Sequence, residues 1–131
     1  MSFNILVVDD SKTIRSVIKK TLNIAGVPIG ELYEAANGQE GLNVMQNNWV
    51  DLVFADINMP VMTGIEMIKK MEEDKLLERM PVIIVSTEGS KTRVEELIKR
   101  GVRAFIKKPI TPELLRSVVR EVMGNYDEQK T

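Results

Sequence analysis

The chain has 131 residues, of which 44% are hydrophobic and 28% are charged, and this predicts a single globular domain. Its net charge of −1 gives no overall attraction for nucleic acid or for a membrane surface. It contains no cysteine and no histidine, which excludes disulfides, thiolate metal sites and the commonest general base. Any chemistry must therefore use carboxylates, hydroxyls and lysine.

The N-terminal segment and the apolar runs bear on where the protein works. The first four residues, MSFN, are not a basic segment followed by a long apolar one, so no signal peptide is predicted. No apolar run approaches the roughly 18 residues that a membrane span needs. Because the absence of cysteine also fits a reducing compartment, we expect a cytoplasmic protein with no membrane partner.

Five short apolar runs alternate with five amphipathic stretches along the chain. The predicted strands are residues 5–8, 32–36, 52–55, 82–85 and 104–106, and the second is the least apolar, as in an edge strand. Because each strand is followed by a helix, the pattern predicts a parallel sheet with helices on both faces.

The helices are predicted from their caps and from the spacing of their apolar residues. They run from Ser11 to Gly26, from about Gln39 to Asn47, from Gly64 to about Asp74, from Ser90 to Gly101 and from Thr111 to Gly124. In the last two helices the predicted buried face consists of Val94, Leu97, Ile98, Leu114, Leu115, Val118, Val119 and Val122. The polar segment 125–131 is expected to be a frayed tail, which leaves residues 1–124 as the domain.

Polar residues follow four of the predicted strands. They are Asp9 and Asp10 after the first strand, Asp56 and Asn58 after the third, Ser86 and Glu88 after the fourth, and Lys108 after the fifth. The carboxyl ends of parallel strands open onto one edge of the sheet, where such folds bind their ligands. We therefore expect these side chains to surround one small site, with Asp56 as the reacting group.

These residue types meet the requirements of phosphoryl transfer to a carboxylate. Neighbouring carboxylates repel one another, and Mg²⁺ relieves that repulsion because it prefers hard oxygen ligands and often shares its shell with phosphate. The transfer depends on positioning and on neutralising the charge of the phosphoryl oxygens. Asp56 is the predicted nucleophile, and Asp9 and Asp10 are the predicted Mg²⁺ ligands. Lys108 and Ser86 are predicted to bind the phosphoryl oxygens.

Each of these residues also has an ordinary structural explanation. The aspartates after the first strand could form a solvated turn that caps a helix, and Asp56 could simply end a strand. Ser86 and Lys108 could be surface residues, and an aromatic residue such as Phe105 is more often core than functional. The coincidence of the needed groups at four strand ends favours the site.

Four motifs resemble the receiver domain of two-component response regulators. They are VVDDS at residues 7–11, DINMPVMTG at 56–64, VS at 85–86 and KP at 108–109. They occur in the right order along essentially the whole chain, and the similarity is greatest to the single-domain, CheY-like chemotaxis type. The resemblance implies an α/β, flavodoxin-like doubly wound sheet with strand order 2-1-3-4-5 and five helices.

The resemblance also implies the ligands of the phosphoryl group and the metal. Asp56 matches the phospho-acceptor of the family. Asp9 and Asp10 match the acidic pair that binds Mg²⁺, and the backbone carbonyl of Asn58 matches a further ligand. Lys108 matches the lysine of the site, and its bond to the following proline is expected to be cis.

A switch is implied as well. Ser86 matches the switch hydroxyl and Phe105 the aromatic switch residue; movement of Ser86 toward the phosphoryl group would let Phe105 rotate inward. The face formed by the fourth helix, the fifth strand and the fifth helix would then change shape. Asn58 and Glu88 match the positions that flank the path of the hydrolytic water, and they predict a short-lived phosphoryl group.

Two residues depart from the family pattern. Thr63 stands where the family usually has Asp, and we expect this to cost a hydrogen bond in the turn. Thr87 replaces a residue that is typically smaller, and we expect it to narrow access to the site and to slow both phosphorylation and hydrolysis.

The predicted function is that of a phosphorylation-activated switch and not of an enzyme with a separate substrate. The phosphoryl group would come from a histidine kinase, and the protein would hydrolyse its own aspartyl phosphate. Because no output domain follows the last helix, we expect the signal to leave by contact with a downstream protein, first of all the flagellar motor switch of chemotaxis. A phosphate sink or a phosphorelay intermediate outside chemotaxis is the alternative.

Other functions fit the sequence less well. A phosphatase of the haloacid dehalogenase type would need a second Asp where Asn58 stands, and usually a cap domain. A binder of flavin or nucleotide would need a phosphate-binding loop after the first strand, where this chain is acidic. The basic residues between 91 and 120 are interspersed with glutamates, so we interpret them as a solvated helix face and not as a nucleic-acid site.

Overall fold

The computed structural model describes residues 2–126, which form one five-stranded sheet and five helices. The strands are β1 (Phe3–Val8), β2 (Ile29–Ala35), β3 (Leu52–Ala55), β4 (Val82–Ser86) and β5 (Ala104–Lys107). The helices are α1 (Lys12–Ile24), α2 (Gly38–Asn47), α3 (Gly64–Glu73), α4 (Lys91–Arg100) and α5 (Pro112–Met123). All four strand pairings are parallel and the order is β2-β1-β3-β4-β5, which confirms the predicted fold.

The sheet separates two apolar cores, because successive side chains of a strand point to opposite faces. In β3, Val53 and Ala55 belong to one core and Leu52 and Phe54 to the other, and none of the four is more than 1% exposed. The first core includes buried residues of α2, α3 and α4, and the second includes buried residues of α1 and α5. Burial on both faces explains why the central strand has an unbroken apolar sequence.

Strand β2 begins at Ile29, three residues earlier than predicted. The reason is that β1 also extends further than predicted, to Phe3, which pairs with Ile29. The strand lies at one edge of the sheet, as its lower apolar content indicated.

No helix within residues 2–126 is long and apolar enough to span a membrane.

Each of the five helices in the described range begins with a side chain that accepts a backbone hydrogen bond. The N-caps are Ser11, Asn37, Thr63, Ser90 and Thr111. At the start of α3, Thr63 Oγ1 accepts from the Glu66 N–H and Glu66 Oε1 accepts from the Thr63 N–H, both at 3.1 Å. Thr63 therefore supplies a complete capping box at the position where a lost hydrogen bond is expected from the family pattern.

Two apolar side chains that were predicted to be buried are exposed instead. Ile98 in α4 and Leu114 in α5 are 45% and 44% exposed, so the prediction is wrong at both positions. Ile98 follows Leu97, and Leu114 precedes Leu115; both of these neighbouring leucines are fully buried. Consecutive helical residues point about 100° apart, so only one member of each pair can face the sheet.

The chain packs against β1 at Tyr126, two residues beyond the predicted domain boundary. Tyr126 is buried, and its ring meets the Phe3 ring edge-on with the centroids 5.8 Å apart. The expected frayed tail is therefore wrong at Tyr126, because the aromatic ring buries apolar surface against β1. Residues 127–131 of the predicted tail lie outside the described residues.

Candidate functional site

Four strands bring the predicted site residues to the carboxyl edge of the sheet. Asp9 follows β1, Asp56 follows β3, Ser86 ends β4, and Lys108 follows β5. Strands β1 and β3 end level with each other, since Val8 is paired with Ala55, and β4 and β5 end two residues further on, since Ala55 is paired with Ile84 and Ser86 with Lys107. The order of the strands reverses between β1 and β3, which is where open parallel sheets leave a crevice for a ligand.

Asp9, Asp10 and Asp56 form an acidic cluster at this crevice. One carboxylate oxygen from each residue lies within 4.8 Å of the others. Asp9 is buried, Asp56 is partly buried and Asp10 is exposed. Three hard oxygen donors at this spacing fit a divalent cation such as Mg²⁺, which takes carboxylate ligands and keeps part of its water shell. The residues present are therefore suited to the predicted metal.

Each polar group of Asp9 forms a hydrogen bond. Its N–H donates to a carbonyl of β2 at 3.0 Å, its Oδ1 accepts from the Ser11 N–H at 2.9 Å, and its Oδ2 accepts from Lys108 Nζ at 3.1 Å. Its carbonyl oxygen accepts from Arg15 Nη1 at 2.7 Å, and Arg15 Nε is 2.9 Å from Glu34 Oε1. Arg15 was not predicted to be part of the site. The sequence feature that could have indicated it is its position, one helical turn after the N-cap Ser11. These bonds fix the direction in which the Asp9 carboxylate points.

Lys108 is the cation of the site. Its Nζ is 3.1 Å from Asp9 Oδ2 and 3.5 Å from Asp56 Oδ2, and its side chain is 16% exposed. One ammonium group thus lies between two carboxylates and offsets their repulsion. The Lys108 N–H donates to the Ser86 carbonyl at 2.9 Å, and the peptide bond to Pro109 is cis, as expected.

The loop after β3 folds back on Asp56. The Ile57 N–H donates to Asp56 Oδ1 at 2.7 Å, and the Gly64 N–H donates to the Ile57 carbonyl at 2.8 Å. A Cβ on Gly64 would overlap the backbone carbonyl oxygen of Asp56, so this close approach requires glycine. The Ile57 N–H of this loop therefore binds Asp56 Oδ1, and Asp56 Oδ2 lies beside Lys108 Nζ.

Ser86, the last residue of β4, is in direct contact with Glu88 in the β4–α4 loop. Ser86 is completely buried, and its Oγ accepts a hydrogen bond from the Glu88 N–H at 3.2 Å. The Glu88 carboxylate accepts from Asn58 Nδ2 at 3.2 Å, so the two residues predicted to tune hydrolysis touch each other. Arg93 of α4, which was interpreted only as part of a solvated helix face, lies with its Nε 3.6 Å from Glu88 Oε1.

Phe105 lies beside the same loop. It is partly buried, it pairs with Ile84 of β4, and it packs against the core that includes residues of α4. A Cβ on Gly89 would lie 3.7 Å from Phe105 Cε1, which places the ring edge next to the residue after Glu88. The aromatic residue and the buried serine thus flank one short loop.

Thr87 is exposed and lies on a different side of the loop. It borders an apolar hollow of about 340 Å³ between α1 and the β5–α5 loop, together with Ile14, Val85 and Lys108. Thr87 and the site lysine thus border the same hollow. The expected narrowing of access at Thr87 stays a prediction.

Comparison with known proteins gives the family. The model of the response regulator receiver domain matches residues 5–120. A chemotaxis protein CheY homolog of Campylobacter jejuni is 41% identical over 121 residues, which is 92% of this chain and 92% of that one. The crystallised chemotaxis protein CheY4 of Vibrio cholerae is 34% identical and has a TM-score of 0.81, over 93% of this chain and 99% of that one.

A chain of the CheX–CheY–BeF3–Mg²⁺ complex of Borrelia burgdorferi is 31% identical, with a TM-score of 0.78 over 92% of this chain and 89% of that one. The family model covers most of the chain, and the relatives match it almost from end to end. The chain therefore belongs to the response regulator receiver family and is a phosphorylation-activated regulator of the chemotaxis type.

Proposed function

We propose that this protein accepts a phosphoryl group on Asp56 and passes the signal on by contact with another protein. The observation that carries the proposal is the position of Asp56 Oδ2, 3.5 Å from Lys108 Nζ and within the cluster of three carboxylates. A nucleophilic carboxylate next to a cation and to metal-binding oxygens is what phosphoryl transfer to a carboxylate needs, because the charge on the phosphoryl oxygens must be neutralised.

The metal ligands in this proposal are the side chains of Asp9, Asp10 and Asp56 and the backbone carbonyl of Asn58. When bound, Mg²⁺ supplies positive charge to the phosphoryl oxygens. The fixed direction of the Asp9 carboxylate supports its assignment as a ligand. Mg²⁺ is also a component of the Borrelia complex that contains a relative of this chain.

The proposed donor is the phosphohistidine of a histidine kinase. An Asp56 oxygen attacks phosphorus, the new O–P bond forms as the P–N bond breaks, and the imidazole keeps the electron pair of that bond. The Lys108 ammonium turns from the carboxylates to the phosphoryl oxygens, and the Ser86 hydroxyl donates to one of them. The protein then hydrolyses its own aspartyl phosphate, with Asn58 and Glu88 beside the path of the water. It acts as a switch and on no separate substrate.

The proposed output follows from the hydrogen bond between Ser86 and the β4–α4 loop. When Ser86 turns toward the phosphoryl group, the Glu88 N–H loses its acceptor and the loop is released. Phe105 then rotates inward, and the surface formed by α4, β5 and α5 binds the downstream protein. The exposed Ile98 and Leu114 supply apolar contact area on these helices. The flagellar motor switch is the first candidate partner, and a protein of the CheX type is the second.

A phosphate sink or phosphorelay intermediate is the alternative function, and the chemotaxis names of the relatives speak against it. The proposed location is the cytoplasm, because the sequence has no cysteine and so fits a reducing compartment. The proposal includes no nucleic-acid partner, since the net charge is −1 and Lys91 and Arg100 of α4 form ion pairs with glutamates.

The test is intact-mass analysis after incubation with acetyl phosphate, with and without Mg²⁺. We expect one labile phosphoryl adduct that depends on Mg²⁺, is lost in Asp56→Asn, and persists in the control Asp74→Asn, an exposed aspartate after α3. An adduct that persists in Asp56→Asn would contradict the assigned acceptor. No adduct on the wild-type chain, from acetyl phosphate or from a kinase, would contradict the proposed function.

A further inference from the structure

Three side chains form a bridge on the solvent side of the site. Asn58 Nδ2 donates to Glu88 Oε2 at 3.2 Å, and Arg93 Nε lies 3.6 Å from Glu88 Oε1. The Asn58–Glu88–Arg93 bridge thus connects the loop that carries the proposed acceptor to the first turn of α4. Both Glu88 and Arg93 have side chains that are about one-third exposed, at 35% and 34%.

The backbone of Arg93 is anchored at the start of α4, where the Arg93 N–H donates to Oγ of the N-cap Ser90 at 3.3 Å. The Glu88 N–H donates to Ser86 Oγ at 3.2 Å, and in the proposed switch this bond is lost when Ser86 turns to the phosphoryl group, so the side-chain partners of Glu88 then hold its carboxylate. The Glu88 carboxylate therefore has one neutral partner, Asn58, and one charged partner, Arg93. Without the charged partner, a carboxylate with this exposure is free to turn toward bulk water.

We propose that Arg93 is a positioning residue for the hydrolysis of the phosphoryl group, and that it acts by holding the Glu88 carboxylate at the mouth of the site. The inference rests on the proposed function, because it presupposes a phosphoryl group on Asp56. A carboxylate held at the mouth accepts a hydrogen bond from the incoming water and orients it for attack, and orientation of this kind contributes to the rate.

The chemical step balances without a further reactant. The water oxygen attacks phosphorus, and the O–P bond to Asp56 breaks with its electron pair left on the carboxylate. Both protons of the water leave with the inorganic phosphate, as H2PO4⁻. Arg93 touches none of the reacting atoms; its effect passes entirely through Glu88.

The test measures the decay of the adduct. The full chain is phosphorylated with acetyl phosphate and Mg²⁺, the donor is removed, and the loss of the adduct is followed by intact mass. We expect Arg93→Ala to lengthen the half-life about two- to fivefold, the range that an exposed ion pair supports. Arg93→Lys should restore most of the wild-type rate, because it keeps the positive charge.

The chain offers a matched control for the loss of charge. Lys91 lies in the same turn of α4, is 91% exposed, and pairs with Glu95 at 4.0 Å and not with Glu88. Lys91→Ala removes the same charge from the same helix end and should leave the half-life at the wild-type value. A half-life that rises equally in Lys91→Ala and Arg93→Ala would overturn the proposal, since the effect would then be one of overall charge.

A second pair of variants tests whether Arg93 acts through Glu88. In a Glu88→Gln background, Arg93→Ala should change the half-life no further. The same fold-change in both backgrounds, or a wild-type half-life in Arg93→Ala, would overturn this inference alone. A wild-type chain that gains no adduct would overturn the proposed function, and this inference with it, before any decay is measured.

Discussion

At the scale of single residues, the two adjacent aspartates after β1 lie in opposite environments. Asp9 is 2% exposed and is held by Ser11, Lys108 and Arg15, whereas Asp10 is exposed. The sequence predicts an acidic pair, but it cannot rank the two members. The difference arises from an arginine six positions further along the chain and from a lysine 99 positions further along it.

This difference leads to a prediction for Asp10→Asn. The substitution removes one of three clustered negative charges while leaving the bonds of Asp9 in place. We expect the metal-free protein to gain about 0.5 kcal/mol of unfolding free energy, the scale of interactions between exposed charges. We also expect the stabilisation by added Mg²⁺ to shrink, because one ligand is lost. Urea unfolding with and without Mg²⁺ measures both effects, and equal stabilisation of the variant and the wild type by Mg²⁺ would show that Asp10 is no ligand.

The site residues at the strand ends could be predicted because parallel strands deliver their carboxyl ends to one edge. Asp56 and Lys108, 52 positions apart in sequence, lie within 3.5 Å for this reason. Arg15 and Arg93 could not be predicted in the same way. Their side chains reach the site from helices, and the reach depends on how each helix is rotated against the sheet, which the apolar pattern specifies only coarsely.

At the scale of elements, the start of α3 shows how a local departure from a family pattern can be compensated. The sequence comparison implied a lost hydrogen bond at Thr63. In the structure Thr63 and Glu66 bond each other's backbone N–H groups, so the helix has a full capping box. The signal, Thr followed three residues later by Glu, is present in the sequence, and it is the S/T-x-x-E pattern typical of helix starts.

The capping box predicts the behaviour of two substitutions. Thr63→Ala removes the acceptor for the Glu66 N–H and should lower the unfolding free energy by about 1 kcal/mol. Thr63→Asp keeps a side-chain acceptor at the N-cap and should stay within a few tenths of a kcal/mol of the wild type. Urea unfolding curves measure the unfolding free energies of both variants. If Thr63→Asp lowers the unfolding free energy as much as Thr63→Ala does, the side-chain acceptor at the N-cap does not stabilise this turn.

The spacing of apolar residues alone did not determine which face of α4 and which face of α5 is buried. It placed Ile98 and Leu114 in the core, next to the leucines that do occupy it. Two adjacent apolar residues leave the rotation of a helix undetermined by about 100°, and packing against the sheet makes the choice. The apolar residues left outside lie on the two helices to which we assign the output surface.

At the scale of the whole molecule, the fold was predictable from the alternation of strands and helices. Strands buried on both faces must be continuously apolar, and short connections from strand to helix to strand allow few topologies. The contact between Tyr126 and Phe3 could not be predicted, because it joins the two ends of the described chain and no local pattern marks it. Long-range contacts of this kind depend on where the completed fold brings the termini.

Occupation of Asp56 by a phosphoryl group is proposed to reshape the surface of α4, β5 and α5. Amide NMR spectra of the protein with Mg²⁺, before and after addition of beryllofluoride, a mimic of the phosphoryl group, measure this change residue by residue. We expect shifts at Asp56, and further shifts at Ser86, at Phe105 and along α4, with the Asp56→Asn variant unchanged. Shifts confined to the ends of the strands, with Phe105 and α4 unaffected, would show that the site binds the group without changing the surface of α4, β5 and α5, and the proposed switch would be wrong.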